Sequence, residues 1–344
     1  MPRPSLRLAV ATALAALPLT ACSTGSTDTA EEAGPAASSS ADAGAFPVTI
    51  DHAYGSTTVE SQPKRVVSIG SSDQDALLSL GVVPVGIQKV GWGGNAHGTT
   101  PWFDARLEDL GGTMPTLIDE TDDIPVDEVA ELDPDLILAT LSGITREQYA
   151  KLSKIAPVVA YPGKPWMTTW QQSLEMTGKA VGRSDLAAQL EKETTQQLGQ
   201  AREDFPDIQG KTFIWGALQT TDLSQISYYT PQDLRPTFLT SIGMRNAPIV
   251  ERISPKDAFY GQISAERASE LRSDFFFTYA VKESDARTFA DDKLIGQIPA
   301  IRSGHLWAST DNIASNAAGV PTPLSVPYAI KHFVPRVAAA VAGA

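Results

Sequence analysis

Short, continuous apolar runs recur along this chain, and their spacing constrains the fold more than any other feature. The first set lies at residues 65–69, 83–87, 135–139 and 157–161, with helical patterns between several of the runs. Strands buried on both faces read this way, and intervening helices imply parallel pairing. After Gly210 the same vocabulary starts again, at residues 211–215, 226–229, 274–278 and 305–309. Two α/β halves are therefore expected, because ~300 residues of folded chain exceed what one core normally supports.

Between the halves runs a polar-rich stretch, residues 170–205, interrupted by Gly178 and Gly182. Ser184 suits an N-cap, and Leu186, Leu190 and Leu198 recur at multiples of four, which puts an apolar stripe on one helical face. A helix over 184–205 is ~30 Å long, enough to reach from one half to the other. The tail, residues 327–342, reads as a closing helix kinked at Pro335.

The N-terminus is of a different kind. Arg3 and Arg7 precede an apolar run over residues 8–19, then Leu19-Thr20-Ala21-Cys22. A basic flank, a short apolar core and small residues before a cut make a secretory signal over residues 1–22. The run is shorter than the ~20 apolar residues of a spanning helix. Cys22 is the only cysteine, so no disulfide forms within the chain. Its setting resembles the lipobox of bacterial lipoproteins, which implies acylation at Cys22 and a lipid anchor on the extracytoplasmic face of the cell membrane. Residues 23–45 hold no aromatic and no large aliphatic side chain, the composition of a disordered tether.

A net charge of −13 at pH 7 without basic clusters argues against nucleic acid, whose binding depends on neutralised phosphates. A bare zinc or manganese site needs converging ligands, and the four histidines, His52, His97, His305 and His332, stand far apart. No metal ligand set and no catalytic group is assigned. Gly91-Trp92-Gly93-Gly94-Asn95-Ala96 satisfies G-x-G-x-x-A after a strand, which leaves a nucleotide-cofactor enzyme as the rival class. That fingerprint needs a helix to start at once, whereas Gly98 and Pro101 predict a loop. There is no Gly-x-Ser-x-Gly elbow and no P-loop.

The two halves share one pattern: residues 127–138 can be laid without a gap over 266–277, each an acidic residue opening a helix, a turn and a strand. Chance reuse of a helix-strand unit gives the same pattern.

Residues 62–69 (QPKRVVSI), 73–86 (DQDALLSLGVVPVG), 132–138 (LDPDLIL) and 154–159 (KIAPVV), in this order, resemble the siderophore- and cobalamin-binding proteins of iron-type ABC importers. The resemblance covers roughly residue 46 to the C-terminus and implies a class III periplasmic binding protein fold. That fold is α/β, with an N-terminal lobe over 46–169, a helical bridge over 170–209 and a C-terminal lobe over 210–344. It also implies a non-enzymatic monomer without a cofactor, which binds a ferric siderophore in the cleft and delivers it to an ABC permease dimer. Haem or cobalamin is the alternative ligand within the same family. One acidic residue per lobe is implied to meet arginines of the permease. By position these are Asp127 and Glu266, with Glu128 a rival to the first.

Ligand groups in such lobes gather on loops after strand C-termini. In the first lobe the candidates are Ser71, Ser72 and Asp73, then Trp92, then Tyr161, Lys164, Trp166 and Trp170. In the second they are Trp215, Tyr228, Tyr229 and Tyr279. Aromatic rings with a polar rim suit the organic shell of a chelate. Lys164, Lys89 and Arg106 are the nearest cations for an anionic catecholate. The overall acidity and the aromatic loops lean instead to hydroxamate or mixed chelators.

Overall fold

The computed structural model describes residues 41–343. Cys22 and residues 23–40 of the expected tether lie outside that range. The first half opens with an antiparallel hairpin, β1 (Val48–His52) and β2 (Gly55–Val59). It then builds β3 (Val66–Ser68), β4 (Gly86–Gln88), β5 (Thr116–Ile118), β6 (Leu136–Ala139) and β7 (Val158–Ala160). These last five form a parallel sheet in the order β5-β4-β3-β6-β7. Every side chain of β3, β6 and β7 is buried, as the continuous apolar runs require. Helices α1 (Asp73–Ser79), α2 (Pro101–Asp109), α3 (Val126–Glu131) and α4 (Arg146–Leu152) connect them.

The long polar stretch is two helices, α5 (Trp170–Ala180) and α6 (Ser184–Asp204). Gly178 does not break α5. A Cβ there would lie 2.6 Å from the Ala187 Cβ, so the glycine lets the two helices approach. The break falls at Gly182, which adopts a φ of +71°. The 21 residues of α6 make the expected span of about 30 Å. The folded chain also begins earlier than composition indicates. The Asp42 amide donates to the Gly182 carbonyl at 2.7 Å, and its carboxylate accepts from the Asp185 amide at 3.2 Å, so residues 41–45 are tied to the α5–α6 corner.

The second half contains β8 (Thr212–Gln219), β9 (Asp222–Tyr229), β10 (Arg245–Asn246), β11 (Tyr260–Ser264), β12 (Phe275–Tyr279) and β13 (Leu306–Ser309). The sheet order is β11-β9-β8-β12-β13, with β10 also beside β8. Parallel pairing holds for β8, β10, β12 and β13, but β9 runs antiparallel to both of its neighbours, β8 and β11. The cause is local, since the two-residue link Thr220-Thr221 makes a hairpin and is too short for a crossover. Around this sheet lie α7 (Leu234–Ser241), α8 (Pro248–Ile253), a 3₁₀ turn (Ala265–Glu270), α9 (Asp285–Asp291), α10 (Pro299–Arg302) and α11 (Asn312–Gly319). The tail is α12 (Ser325–His332) and α13 (Val334–Ala342), so Pro335 sits in the first turn of a new helix rather than in a kink.

One apolar cluster runs through both halves. It joins Leu138 and Val159 of the first sheet, Trp170 and Leu174 of α5, Trp215 and Phe277 of the second sheet, and Phe333 before α13. The halves thus share a core, which ties them more firmly than two separate cores on a flexible linker.

Candidate functional site

Parallel strands aim their C-terminal ends, and the loops that follow them, at one cleft. The loop after β4 brings Trp92 there and the end of β12 brings Tyr279. Their rings meet edge to face with centroids 5.0 Å apart. The cavity they border measures about 750 Å³ and is also lined by Tyr229, Arg235, Phe289 and Asn312. Its size lies within the range of pockets for drug-sized ligands.

Arg235 is the only cation lining this cavity among the described residues. Asp233 caps α7 by accepting from the Arg235 amide at 2.9 Å, and the same carboxylate takes Arg235 Nη1 at 3.0 and 3.1 Å. The guanidinium lies over the Tyr229 ring, 4.1 Å from its centroid, and donates through Nε to Tyr279 Oη at 3.1 Å. Burial works against its charge, but Asp233, Tyr279 and Tyr229 hold the Arg235 pKa above its ordinary value. Burial also raises the Tyr279 phenol, against the pull of Arg235. The result is an aromatic wall with a positive charge that already has its counter-ion.

Smaller spaces lie around it. One of about 210 Å³ lies on the far side of Trp92. One of about 250 Å³ shares Arg235 with the main cavity and is bordered by Trp166, and another of about 200 Å³ lies on the other flank of Trp166. Trp166 is 40% exposed, holds a left-handed φ of +61° and covers Gly143, where a Cβ would strike the indole. Lys164 sits beside it at the surface and is ion-paired to Asp257 of the other half.

Trp92, Trp166 and Tyr279 are thus brought to the cleft, and Tyr229 with them. Ser71 borders two of the smaller spaces and Lys89 one of them, while the other candidates line none of these spaces. Ser72 and Asp73 are buried in a polar network in which Asp73 accepts from the Thr140 amide at 2.9 Å and from Ser173 Oγ at 3.2 Å, while Ser72 meets Ser173 at 3.1 Å. Gly70 makes room for this carboxylate, since a Cβ there would strike it. Tyr161 is buried with its hydroxyl 2.6 Å from that of Tyr54. Trp170 packs in the shared core, and Trp215 stacks on Phe333 at 5.3 Å. Tyr228 is buried and donates to the Ile253 carbonyl at 3.2 Å. Each sits in an apolar or hydrogen-bonded interior. Lys89 is paired with Asp119 at 2.8 Å, and Arg106, which donates to the Leu78 carbonyl at 3.1 Å, lines none of these spaces, so neither brings a charge to the main cavity. Sequence reasoning missed Arg235 and Asn312.

The Gly91–Ala96 segment is a loop. No helix begins until Pro101, and the Gly93 carbonyl accepts from Asn316 Nδ2 at 3.2 Å, so no helix N-terminus stands where a pyrophosphate would lie. Asp127 and Glu266 are exposed in the first turns of α3 and of the 3₁₀ turn Ala265–Glu270. No helix among the described residues is long and apolar enough to cross a membrane.

Fold and cleft define a two-lobed solute-binding protein. The sequence pattern of the periplasmic binding protein family matches residues 66–312, and the chain belongs to that family. A solved structure of PiaA from Streptococcus pneumoniae in complex with ferrichrome is 34% identical. It superimposes with a TM-score of 0.81 over 86% of this chain and 99% of the other. The probable siderophore-binding lipoprotein YfiY of Bacillus subtilis is 26% identical over 79% of this chain and 83% of its own length. The ferric enterobactin-binding periplasmic protein FepB of Escherichia coli is 25% identical over 76% and 84%.

Proposed function

We propose that this protein captures a ferric siderophore in the 750 Å³ cavity and delivers it to an ABC import permease, and that the preferred chelators are hydroxamates. The observation that carries the reading is the pairing of Arg235 with Asp233 inside an aromatic wall. Three hydroxamates neutralise ferric iron, so their chelate presents an uncharged, partly apolar shell. Three catecholates leave a trianion, which needs cations with charge to spare. Arg235 has none, and Asp285, also on the wall, is a second acid. The likeness to PiaA, solved with ferrichrome, supports the same assignment. A chelator that fills the coordination sphere of the metal asks for no protein ligand to iron.

On this reading, acylation at Cys22 holds the chain to the membrane by a tether, with the lobes presented beyond it. Asp127 and Glu266, one on each half, are the docking acids. The test is equilibrium titration of tryptophan fluorescence with ferrichrome, a ferric tris-catecholate, haem and cobalamin. Tight binding of ferrichrome with weak binding of the other three is the expected result. Preference for the tris-catecholate, haem or cobalamin would overturn the hydroxamate assignment.

A further inference from the structure

The side chamber on the far side of Trp92 is unlike the aromatic wall. Its 210 Å³ could hold about seven water-sized groups. Polar side chains surround it: Ser71, Gln74 and Asp75 at the start of α1, Gln88 and Lys89 at the end of β4, and Asn316 of α11. Five of their donor groups already serve neighbours. Gln88 Nε2 donates to Glu120, Gln74 Nε2 to the Ser71 carbonyl, Ser71 Oγ to Gln88, Asn316 Nδ2 to the Gly93 carbonyl, and Lys89 pairs with Asp119.

Acceptors remain, Asp75 foremost. Asp75 is 5% exposed. Its Oδ2 accepts from Trp102 Nε1 at 2.7 Å and from Thr322 Oγ1 at 2.9 Å, but its Oδ1 has no partner among the described residues. A buried carboxylate short of donors is costly, and a ligand that supplies one recovers that cost. Burial lifts the Asp75 pKa to about 6 against the pull of its two hydrogen bonds, which marks the same shortage.

We propose that this chamber is a subsite for a donor-bearing arm of the chelator, a primary ammonium above all, and that it gives the protein a preference for siderophores carrying such an arm. The proposal rests on the reading that the main cavity holds a ferric siderophore. Trp92 borders both spaces, so a chelate seated against the aromatic wall can extend an arm past the indole to Asp75. An ammonium there neutralises the carboxylate through a charge-assisted hydrogen bond, whereas a carboxylate-tipped arm meets a like charge.

The full chain is titrated at neutral pH with ferrichrome, with ferrioxamine B, whose chelator ends in a free aminopentyl arm, and with N-acetylated ferrioxamine B. The free amine is expected to bind about tenfold tighter than the acetylated form, and Asp75→Asn to abolish that ratio. Should Asp75→Asn not fold, the wild-type comparison of amine and acetyl forms decides alone. Ferrichrome binding with equal affinity for the two ferrioxamines would overturn the subsite and leave the siderophore reading standing, and a preference retained in Asp75→Asn would also overturn it. If none of the three chelates binds, the siderophore reading falls and the subsite with it.

Discussion

Trp92 and Tyr279 come from opposite halves of the chain and meet edge to face, their ring centroids 5.0 Å apart. Such a contact is worth about 0.5–1.5 kcal/mol beyond its buried area. Behind it, Tyr279 Oη accepts from Trp215 Nε1 and from Arg235 Nε, each at 3.1 Å. One tyrosine therefore borders the cavity, ties it to the shared core and orients the cation of the site.

Tyr279→Phe keeps the ring contact but leaves two indoor donors without their acceptor. Each such loss costs about 1–3 kcal/mol. The variant should unfold at lower urea and bind ferrichrome several-fold more weakly, because Arg235 loses one of the groups that hold it over Tyr229. Urea unfolding and a ligand titration check both, and wild-type values in the two would rule out this role.

Trp166 offers a contrast between wall and core. At 40% exposure, its truncation to alanine should cost under about 1 kcal/mol of stability, against about 3–5 kcal/mol for the buried Trp215. Affinity should fall in Trp166→Ala, and also in Gly143→Ala, where the new methyl displaces the indole without removing it. Equal affinity in Gly143→Ala and wild type would show that the position of this ring is immaterial.

Glu120 supplies a pH dependence with a definite sign. Burial pushes its pKa from an ordinary 4.5 to about 8, with the Gln88 hydrogen bond opposing and Asp73 adding to the rise. Between those values the folded protein holds a proton that the unfolded chain has released. The stability this group permits at low pH is therefore lost progressively as pH rises from about 4.5 to about 8. Glu120→Gln carries no charge at any pH. It should be more stable than wild type by on the order of 2–3 kcal/mol at pH 7 and indistinguishable from it at pH 4. Melting temperatures of both proteins across that range test the sign, and a gap that shrinks with rising pH would contradict it.

What the sequence discloses follows from burial. The strands β3, β6 and β7 announce themselves because apolar side chains line both of their faces, whereas β4, Gly86-Ile87-Gln88, is signalled mainly by the apolar residues just ahead of it. Thr116–Ile118 and Tyr260–Ser264 escape notice because each is an edge strand with half its residues or more in contact with solvent. Trp92 and Trp166 are legible as cleft residues, being large rings among turn-forming neighbours. Tyr228 and Tyr229 show the limit. Adjacent strand residues face opposite ways, so only one of them can line the cleft, and nothing local says that it is Tyr229. Arg235 is hidden for another reason: its contacts with the Tyr229 ring and Tyr279 Oη depend on α7 packing against β9 and β12, which no local pattern discloses.

Docking yields the last prediction. Asp127 and Glu266 are exposed, each in the first turn of a short helical segment that leads into a central strand of its own half. Neither lines the cavity, so replacing both with alanine should leave affinity for ferrichrome unchanged while cutting uptake through the permease. An exposed ion pair is worth less than ~1 kcal/mol, but one desolvated at an interface can be worth several times that. The double variant should therefore lose more permease affinity than either single one, and reversal to lysine should be worse than alanine. Added salt should weaken the wild-type complex and affect the double variant less, as steering between an acidic protein and a basic dock requires. Glu128, exposed beside Asp127, supplies the control: if Glu128→Ala loses permease binding and Asp127→Ala does not, the docking acid of the first half is its neighbour. The measurement is binding of the purified protein to its reconstituted permease, with a ligand titration of the same variants. Full permease binding by the double variant would remove both residues from the interface, and a loss confined to ligand affinity would move them into the cleft.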